Sequence, residues 1–259
     1  MSTKRVLVTG MSGLIGDLFR KHAATKYTLS ALNRRPVDGV ECHQADIRNS
    51  AEIESAFQGK DVVVHLAALA KADATWEEAL QFNVVGTYNV FEAARRAGVK
   101  RVIYASSGAT VTGWEKESPY NAIVEGHYNQ VPATWPKVTH ETPTRPAGLY
   151  GWSKVTGESL ARYYSDAYGM SMIRIRIGRV NPENRPTAPR VFSVWCTYRD
   201  IVQMIEKCID APDSLSFDIF YAVSNNKWSY RDISHAHEVL GYEPQDEAEQ
   251  HRPVSAESD

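Results

Sequence analysis

Residues 5–16 read Arg5-Val6-Leu7-Val8-Thr9-Gly10-Met11-Ser12-Gly13-Leu14-Ile15-Gly16. A short β-branched run enters three glycines spaced three apart, and helical periodicity follows from Leu14 to Ala24. Strand, glycine-rich turn and helix in that order have a physical use. The first glycine allows a tight turn, the second lets backbone N–H groups approach a pyrophosphate, and the third lets the helix pack closely on the sheet. A glycine pattern placed between an expected strand and an expected helix meets the context a dinucleotide-binding turn requires. Gly10, Ser12, Gly13, Leu14, Ile15 and Gly16 are therefore expected around a phosphate. The bland alternative is three structural glycines.

Outward from this turn, β-branched runs alternate with helical segments. Strands are expected at Arg5–Val8, Tyr27–Leu32, Val40–His43, Asp61–Leu66, Arg101–Ala105 and Met172–Ile177, with helices at Leu14–Ala24, Ser50–Phe57, Trp76–Ala97 and Gly148–Tyr168. That alternation predicts an α/β fold, a doubly wound parallel Rossmann sheet of six strands whose ligands lie beyond the carboxyl ends of the strands. Residues 1–178 form the expected dinucleotide-binding domain. Two stretches interrupt the alternation, Gly108–Ala147 and the proline-rich Asn181–Pro189, and both leave strand ends, so both overhang the expected crevice. Trp114, Tyr120, Tyr128 and Trp135 make the first a folded lid, lining a pocket or packing among themselves. A helix after Tyr198, a strand at Phe217–Val223 and a helix at Tyr230–Leu240 are expected to form a small C-terminal substrate lobe over 179–243. The polar end, 244–259, is expected to fray.

Composition narrows the function. Apolar residues make up 43% of the 259 residues, and Lys+Arg 29 against Asp+Glu 31 leaves a net charge of −2, which gives no electrostatic footprint for nucleic acid or anionic lipid. The longest apolar run, Val62 to Ala70, is far shorter than the roughly 20 residues of a membrane span. Cys42, Cys196 and Cys208 are far apart, with no metal-ligand spacing, which fits a reducing cytoplasm and no metal site. His235 and His237 flank one residue of an expected helix and do not share its face. Cys196 beside Trp195 reads as a core thiol. A small-molecule substrate is expected.

The end of the second strand reads Leu32-Asn33-Arg34-Arg35. A carboxylate there would bind the ribose hydroxyls of NAD and repel a 2′-phosphate. Asn33 repels nothing, and the guanidiniums of Arg34 and Arg35 can fork onto a phosphate, which favours NADP over NAD unless the two arginines are merely solvated. Asp46 is placed to accept from an adenine amino group or to cap the helix near Ser50.

Tyr150-Gly151-Trp152-Ser153-Lys154 sets a phenol and an ammonium one helical turn apart on one face. Moving a phenol from about 10 to about 7 asks for ~4 kcal/mol of differential stabilisation, and a neighbouring cation contributes to it. Ala105-Ser106-Ser107 closes the fifth strand at the same rim, where a hydroxyl can hold a substrate oxygen.

With these landmarks in this order, the chain resembles the extended short-chain dehydrogenase/reductase family, also called the NAD-dependent epimerase/dehydratase family, from Val6 to about Pro244. Ala45-Asp46-Ile47, His65-Leu66-Ala67-Ala68, Phe82-Asn83-Val84-Val85-Gly86-Thr87 and Asn181-Pro182 extend the match. The resemblance implies that Tyr150 is the catalytic acid or base, that Lys154 tunes it and binds the nicotinamide ribose, and that Ser107 orients the reacting oxygen. It also implies that Ile47, Leu66, Ala67, Ala68, Asn83 and Ile177 belong to the cofactor site and that homodimers form.

Within that family, Leu149–Lys154, Gly157-Glu158, Arg176-Ile177-Gly178 and the spacing of Arg190 to Trp195 are similar to uronate dehydrogenases and archaeal sugar dehydrogenases. This likeness makes Asn181 and Arg190 substrate contacts, with Arg190 facing an anionic or polar sugar group; the alternative is a structural ion pair. Those relatives carry Ser-Ser-Asn-His after the fifth strand, whereas this chain has Ser106-Ser107-Gly108-Ala109, so Gly108 opens a space where they supply a donor. The expected activity is hydride transfer between a nicotinamide and a carbinol carbon of a small sugar, sugar acid or related polar substrate. Alternatives are an aldehyde or ketone reductase, a nucleotide-sugar epimerase or dehydratase, and a non-catalytic NADP-sensing regulator.

Overall fold

Strand formation follows from runs that bury both faces. In the computed structural model, which describes residues 3–71 and 73–252, β1 (Arg5–Thr9), β2 (Thr28–Asn33), β3 (Glu41–Gln44), β4 (Val62–His65), β5 (Arg101–Ser107), β6 (Ser171–Ile177) and β7 (Phe217–Ala222) form one sheet in the order β3-β2-β1-β4-β5-β6-β7. Every adjacent pair is parallel. Continuous apolar strands such as Val62–Val64 suit a sheet covered on both sides.

The helices are α1 (Leu14–Ala23), α2 (Ser50–Ile53), α3 (Trp76–Glu78), α4 (Gly86–Arg96), α5 (Tyr120–Glu125), α6 (Leu149–Tyr168), α7 (Val191–Val194), α8 (Tyr198–Asp210) and α9 (Ser234–Leu240). Alternation along β1 assigns the layers. Val6 and Val8 pack with Phe19 of α1 and Ile201 and Ile205 of α8, while Leu7 points to the other face with Phe91 of α4 and Tyr164 of α6. Strand order reverses between β1 and β4, so a crevice opens at their carboxyl ends.

Several expectations need correction. The sheet has seven strands, not six: β7, expected in a separate lobe, pairs along β6 from Met172↔Phe217 to Ile177↔Ala222. The helix expected from Tyr230 starts at Ser234, because Arg231 forms a parallel bridge with Val138 of the lid and Asp232 donates its backbone N–H to Val138. The expected helix Trp76–Ala97 contains a π-helical stretch over Ala79–Val85, which turns Asn83 inward. The chain from Pro244 does not fray as far as Arg252: Ala248 is buried against Trp195, and His251 meets the Trp195 ring edge-on. Residues 253–259 lie outside the described residues. The lid has its own core, in which Val111, Ile123 and Val138 pack on Tyr221 and Tyr230 with Trp114, Tyr120 and Trp135 around them.

One buried ion pair fastens α6 to the sheet. The Arg176 guanidinium on β6 forks onto Glu158 of α6 at 3.0 and 2.9 Å, and Ser106 of β5 donates to the same carboxylate at 2.6 Å. Removing one partner leaves a buried charge alone, so Arg176→Met is expected to cost about 3–5 kcal/mol in denaturant unfolding, with part recovered when Glu158→Gln is added. A loss below about 1 kcal/mol for Arg176→Met would show that the pair does not hold the helix.

Candidate active site

The phosphate turn is built by close approach. Gly10 has φ +73°, and a Cβ there would lie 2.7 Å from the Ala67 backbone nitrogen; a Cβ at Gly16 would lie 2.5 Å from Met11 Cα. Gly13, which precedes α1, supplies no side-chain cap, so the first-turn N–H groups of α1 are not taken up by a cap side chain. Gly10 and Gly13 border a cavity of about 650 Å3 that continues along Ser12, Leu66, Ala67 and Ala68. An uncapped helix N-terminus with a glycine wall fits a pyrophosphate. Beneath it, Thr9 meets His65 Nδ1 at 2.7 Å and accepts from Ala67 N–H at 3.2 Å, tying the exits of β1 and β4. Burial holds His65 neutral, lowering it to about 3.

The far end of that cavity carries Asn33, Arg34, Arg35, Asp46 and Ile47. Asn33 donates to Ser12 Oγ at 3.0 Å and to the Arg35 carbonyl at 2.8 Å, and Arg35 donates to Ser12 Oγ at 3.3 Å. Arg34 and Arg35 are exposed and enter no ion pair among the described residues. Asp46 is held by Arg48 at 3.0 and 2.8 Å, which keeps its carboxyl below the usual range. Phe82, which sequence reasoning missed, lines this end with Arg48 stacked over its ring at 4.1 Å. Asn83 is buried behind the wall instead, accepting from Leu69 N–H and donating to the Leu69 carbonyl and to Ser153. Its place is behind the loop that lines the cavity.

The reacting end is a second, adjoining cavity of about 570 Å3, where Ser107, Tyr150, Lys154 and Ile177 meet Leu14 and Ile15. Lys154 donates to the Ala105 carbonyl at 2.6 Å and lies 5.9 Å from the centre of the Tyr150 ring. Burial lowers Lys154 to about 7, with Glu158 opposing the shift, and burial raises the Tyr150 phenol, with the Ser107 hydroxyl opposing. Burial thus favours the protonated phenol in the protein alone, with the Ser107 hydroxyl acting against it. Ser107 accepts from the Ala109 N–H at 3.1 Å, which fixes its hydroxyl at the strand exit.

Arg190 reaches the same cavity, but its fork is engaged: Nε and Nη2 donate to Glu115 of the lid, both at 2.7 Å. Asn181 is buried off this wall, donating to the Arg185 carbonyl within its own loop. Gly108 lines the cavity, and the space beside it is filled by the Arg231 guanidinium. Arg231, Glu115 and Thr112 were missed. They come from the lid and from a segment 116 to 119 residues further on, with no motif around them. Among the described residues no group of three side chains is suited to a metal, and no helix is long and apolar enough to cross a membrane.

Fold and site together bring a tyrosine, a lysine and a serine into one cavity with a glycine-rich turn at the switch point of a parallel sheet. The sequence model of the NAD dependent epimerase/dehydratase family matches residues 6–196, and the chain belongs to that family. It is 35% identical over 254 residues to a uronate dehydrogenase from Agrobacterium fabrum, covering 96% of this chain and 87% of that one. It is 33% identical over 252 residues to the NAD-dependent glucose-6-phosphate dehydrogenase of Haloferax volcanii, covering 93% of both. The crystal structure of uronate dehydrogenase from Agrobacterium tumefaciens superposes with a TM-score of 0.80 at 31% identity, covering all of this chain and 93% of that one.

The Lys154 environment has a measurable sign. Because its folded value of about 7 lies below the usual 10.5, the unfolded chain binds a proton that the folded one lacks between those pH values, and stability contributed at this site rises with pH through that window. Relative to wild type, Lys154→Met is expected to be most favourable at pH 6 and to lose ground by pH 10 in denaturant titrations. A stability difference independent of pH would refute the burial of an ionisable lysine there.

Proposed function

We propose that the protein is an NAD(P)-dependent dehydrogenase that oxidises a carbinol carbon of a small sugar, sugar acid or related polar compound. The observation that carries this reading is the meeting of Ser107, Tyr150 and Lys154 in one cavity that also borders the glycine turn. The bound nicotinamide would supply the hydride acceptor. Tyr150 takes the hydroxyl proton once its own phenol has ionised, Ser107 holds the reacting oxygen, and Lys154 offers N–H groups not used by Ala105 to the cofactor ribose. A second reading, carbonyl reduction, is favoured by the protonated Tyr150 phenol, which suits a general acid. Pairs of molecules through α4 and α6 agree with the exposed Tyr88, Tyr163 and Tyr168 on those helices. The free thiols Cys42, Cys196 and Cys208 agree with a reducing cytoplasm.

The test is nicotinamide absorbance against sugars, sugar acids and sugar phosphates. Tyr150→Phe is expected to lower kcat by about 10²–10⁴-fold while cofactor affinity is kept, since only the proton-transfer oxygen is lost. Retention of half the activity would sink the catalytic assignment.

NADP is the proposed preferred cofactor, because Arg34 and Arg35 form no ion pair among the described residues at the cavity's far end, where Asp46 is bonded to Arg48 instead. A charge-assisted fork contributes about 1.5–3 kcal/mol, roughly ten- to a hundred-fold in affinity. Calorimetric titration with both cofactors should give tighter NADP binding, reversed by Asn33→Asp with Arg34→Ala; tighter NAD binding by the wild type defeats the preference.

A further inference from the structure

Three arginines line the reacting cavity, Arg179, Arg190 and Arg231; Arg179 is exposed, and the surroundings of the other two differ. Arg190 is matched by Glu115, which accepts two bonds from it and one from the Tyr230 hydroxyl at 2.5 Å. A substrate anion would have to displace that carboxylate to gain the same fork. Arg231 is 3% exposed, lines the same cavity as Ser107 and Tyr150, and forms no ion pair among the described residues. Its side chain makes one hydrogen bond, from Nη2 to the Tyr230 hydroxyl at 3.2 Å, and its buried Nε has no partner. The cavity lining holds Lys154, Arg179, Arg190 and Arg231 and no carboxylate.

The Glu115 carboxylate also feels Arg231, but its hydrogen bonds go to Arg190 and Tyr230, so Arg231 shares a counter-charge and has no carboxylate bonded to it directly. A buried guanidinium paired only in this way is costly unless a ligand completes it. Two features show that this placement is built. The lid bridge Val138↔Arg231 fixes the backbone, and Ser229 brackets it by accepting from the Arg231 N–H and donating to its carbonyl. Gly108 makes the room, because any Cβ there would overlap the guanidinium.

The geometry points to Arg231, seated in the room Gly108 makes, as the residue that reads an anionic group of the substrate, a carboxylate or a phosphate, within the reacting cavity, with the Arg190–Glu115 pair as the wall beside it. This rests on the reading that the cavity holds the sugar to be oxidised. It makes the substrate class an anionic sugar rather than a neutral one.

The test is calorimetric titration of the protein saturated with oxidised cofactor, using D-glucuronate, D-glucose 6-phosphate and D-glucose, with turnover assayed in parallel. Wild type is expected to bind at least one of the anions ten-fold or more tightly than glucose, and whichever anion wins separates carboxylate from phosphate. Arg231→Met and Gly108→Ala are each expected to abolish that difference, Arg231→Lys to restore part of it, and Arg190→Met to leave most of it. Unchanged cofactor affinity in each variant shows that it has folded. A wild type that does not favour an anion, discrimination surviving Arg231→Met, or discrimination lost only with Arg190→Met would overturn the assignment. Anion discrimination by Arg231 with no turnover of any probe would instead count against the dehydrogenase reading and leave the anion site standing.

Discussion

The close seat of α6 on the exit of β5 sets the distances on which the chemistry depends. A Cβ at Gly151 would come within 2.5 Å of the Ala109 carbonyl, just past β5, and one at Gly157 would overlap the Tyr104 hydroxyl, so the helix seats with no room for a side chain at either point. At that range the Lys154 ammonium reaches the Ala105 carbonyl, and the Glu158 carboxylate one turn on reaches Ser106 and Arg176. Tyr150 thereby lines one cavity with Ser107. Because interiors are packed as tightly as organic crystals, a shift of a methyl group at either glycine would be transmitted to the reacting atoms.

Burial sets the protonation states that follow. The same seat that fixes Lys154 strips its water, which pulls its basicity towards neutrality, and it raises the phenol in the opposite sense. Burial thus pushes both groups toward their neutral forms, the direction that lessens buried charge. Proton movement then depends on what enters the cavity. His65, fully buried between Thr9 and Thr87, is neutral for the same reason and acts as a hydrogen-bonded strut beneath the phosphate turn.

The lid contributes charge as well as cover. Its aromatic residues pack on one another and on Tyr221 and Tyr230 rather than line the reacting cavity, and Glu115 projects from it to neutralise Arg190. Arg190 takes that carboxylate's fork, while Arg231 feels it only at a distance and through the Tyr230 hydroxyl that both contact. The wall against which a substrate would rest is therefore positive on balance.

The sequence by itself determined the sheet, the glycine turn and the Tyr150–Lys154 face, because these are local: a period of two or of 3.6, three glycines in seven residues, a phenol and an ammonium one turn apart. It also placed Ser107, since a strand end can be read from its own composition. Tertiary structure alone decided the rest. That β7 joins the sheet is a matter of pairing with β6 across some forty residues, and periodicity does not specify a partner. Asn83, expected at the cofactor, is buried in a π-helical stretch and bonds Leu69 and Ser153, partners that spacing does not reveal. Arg190 stood out in a rigid proline-rich segment, yet its charge is answered by Glu115, 75 residues away in the chain. Arg231 carried no signal at all: its significance is that Gly108 leaves room for it and no carboxylate pairs with it, and those are facts of packing rather than of spacing.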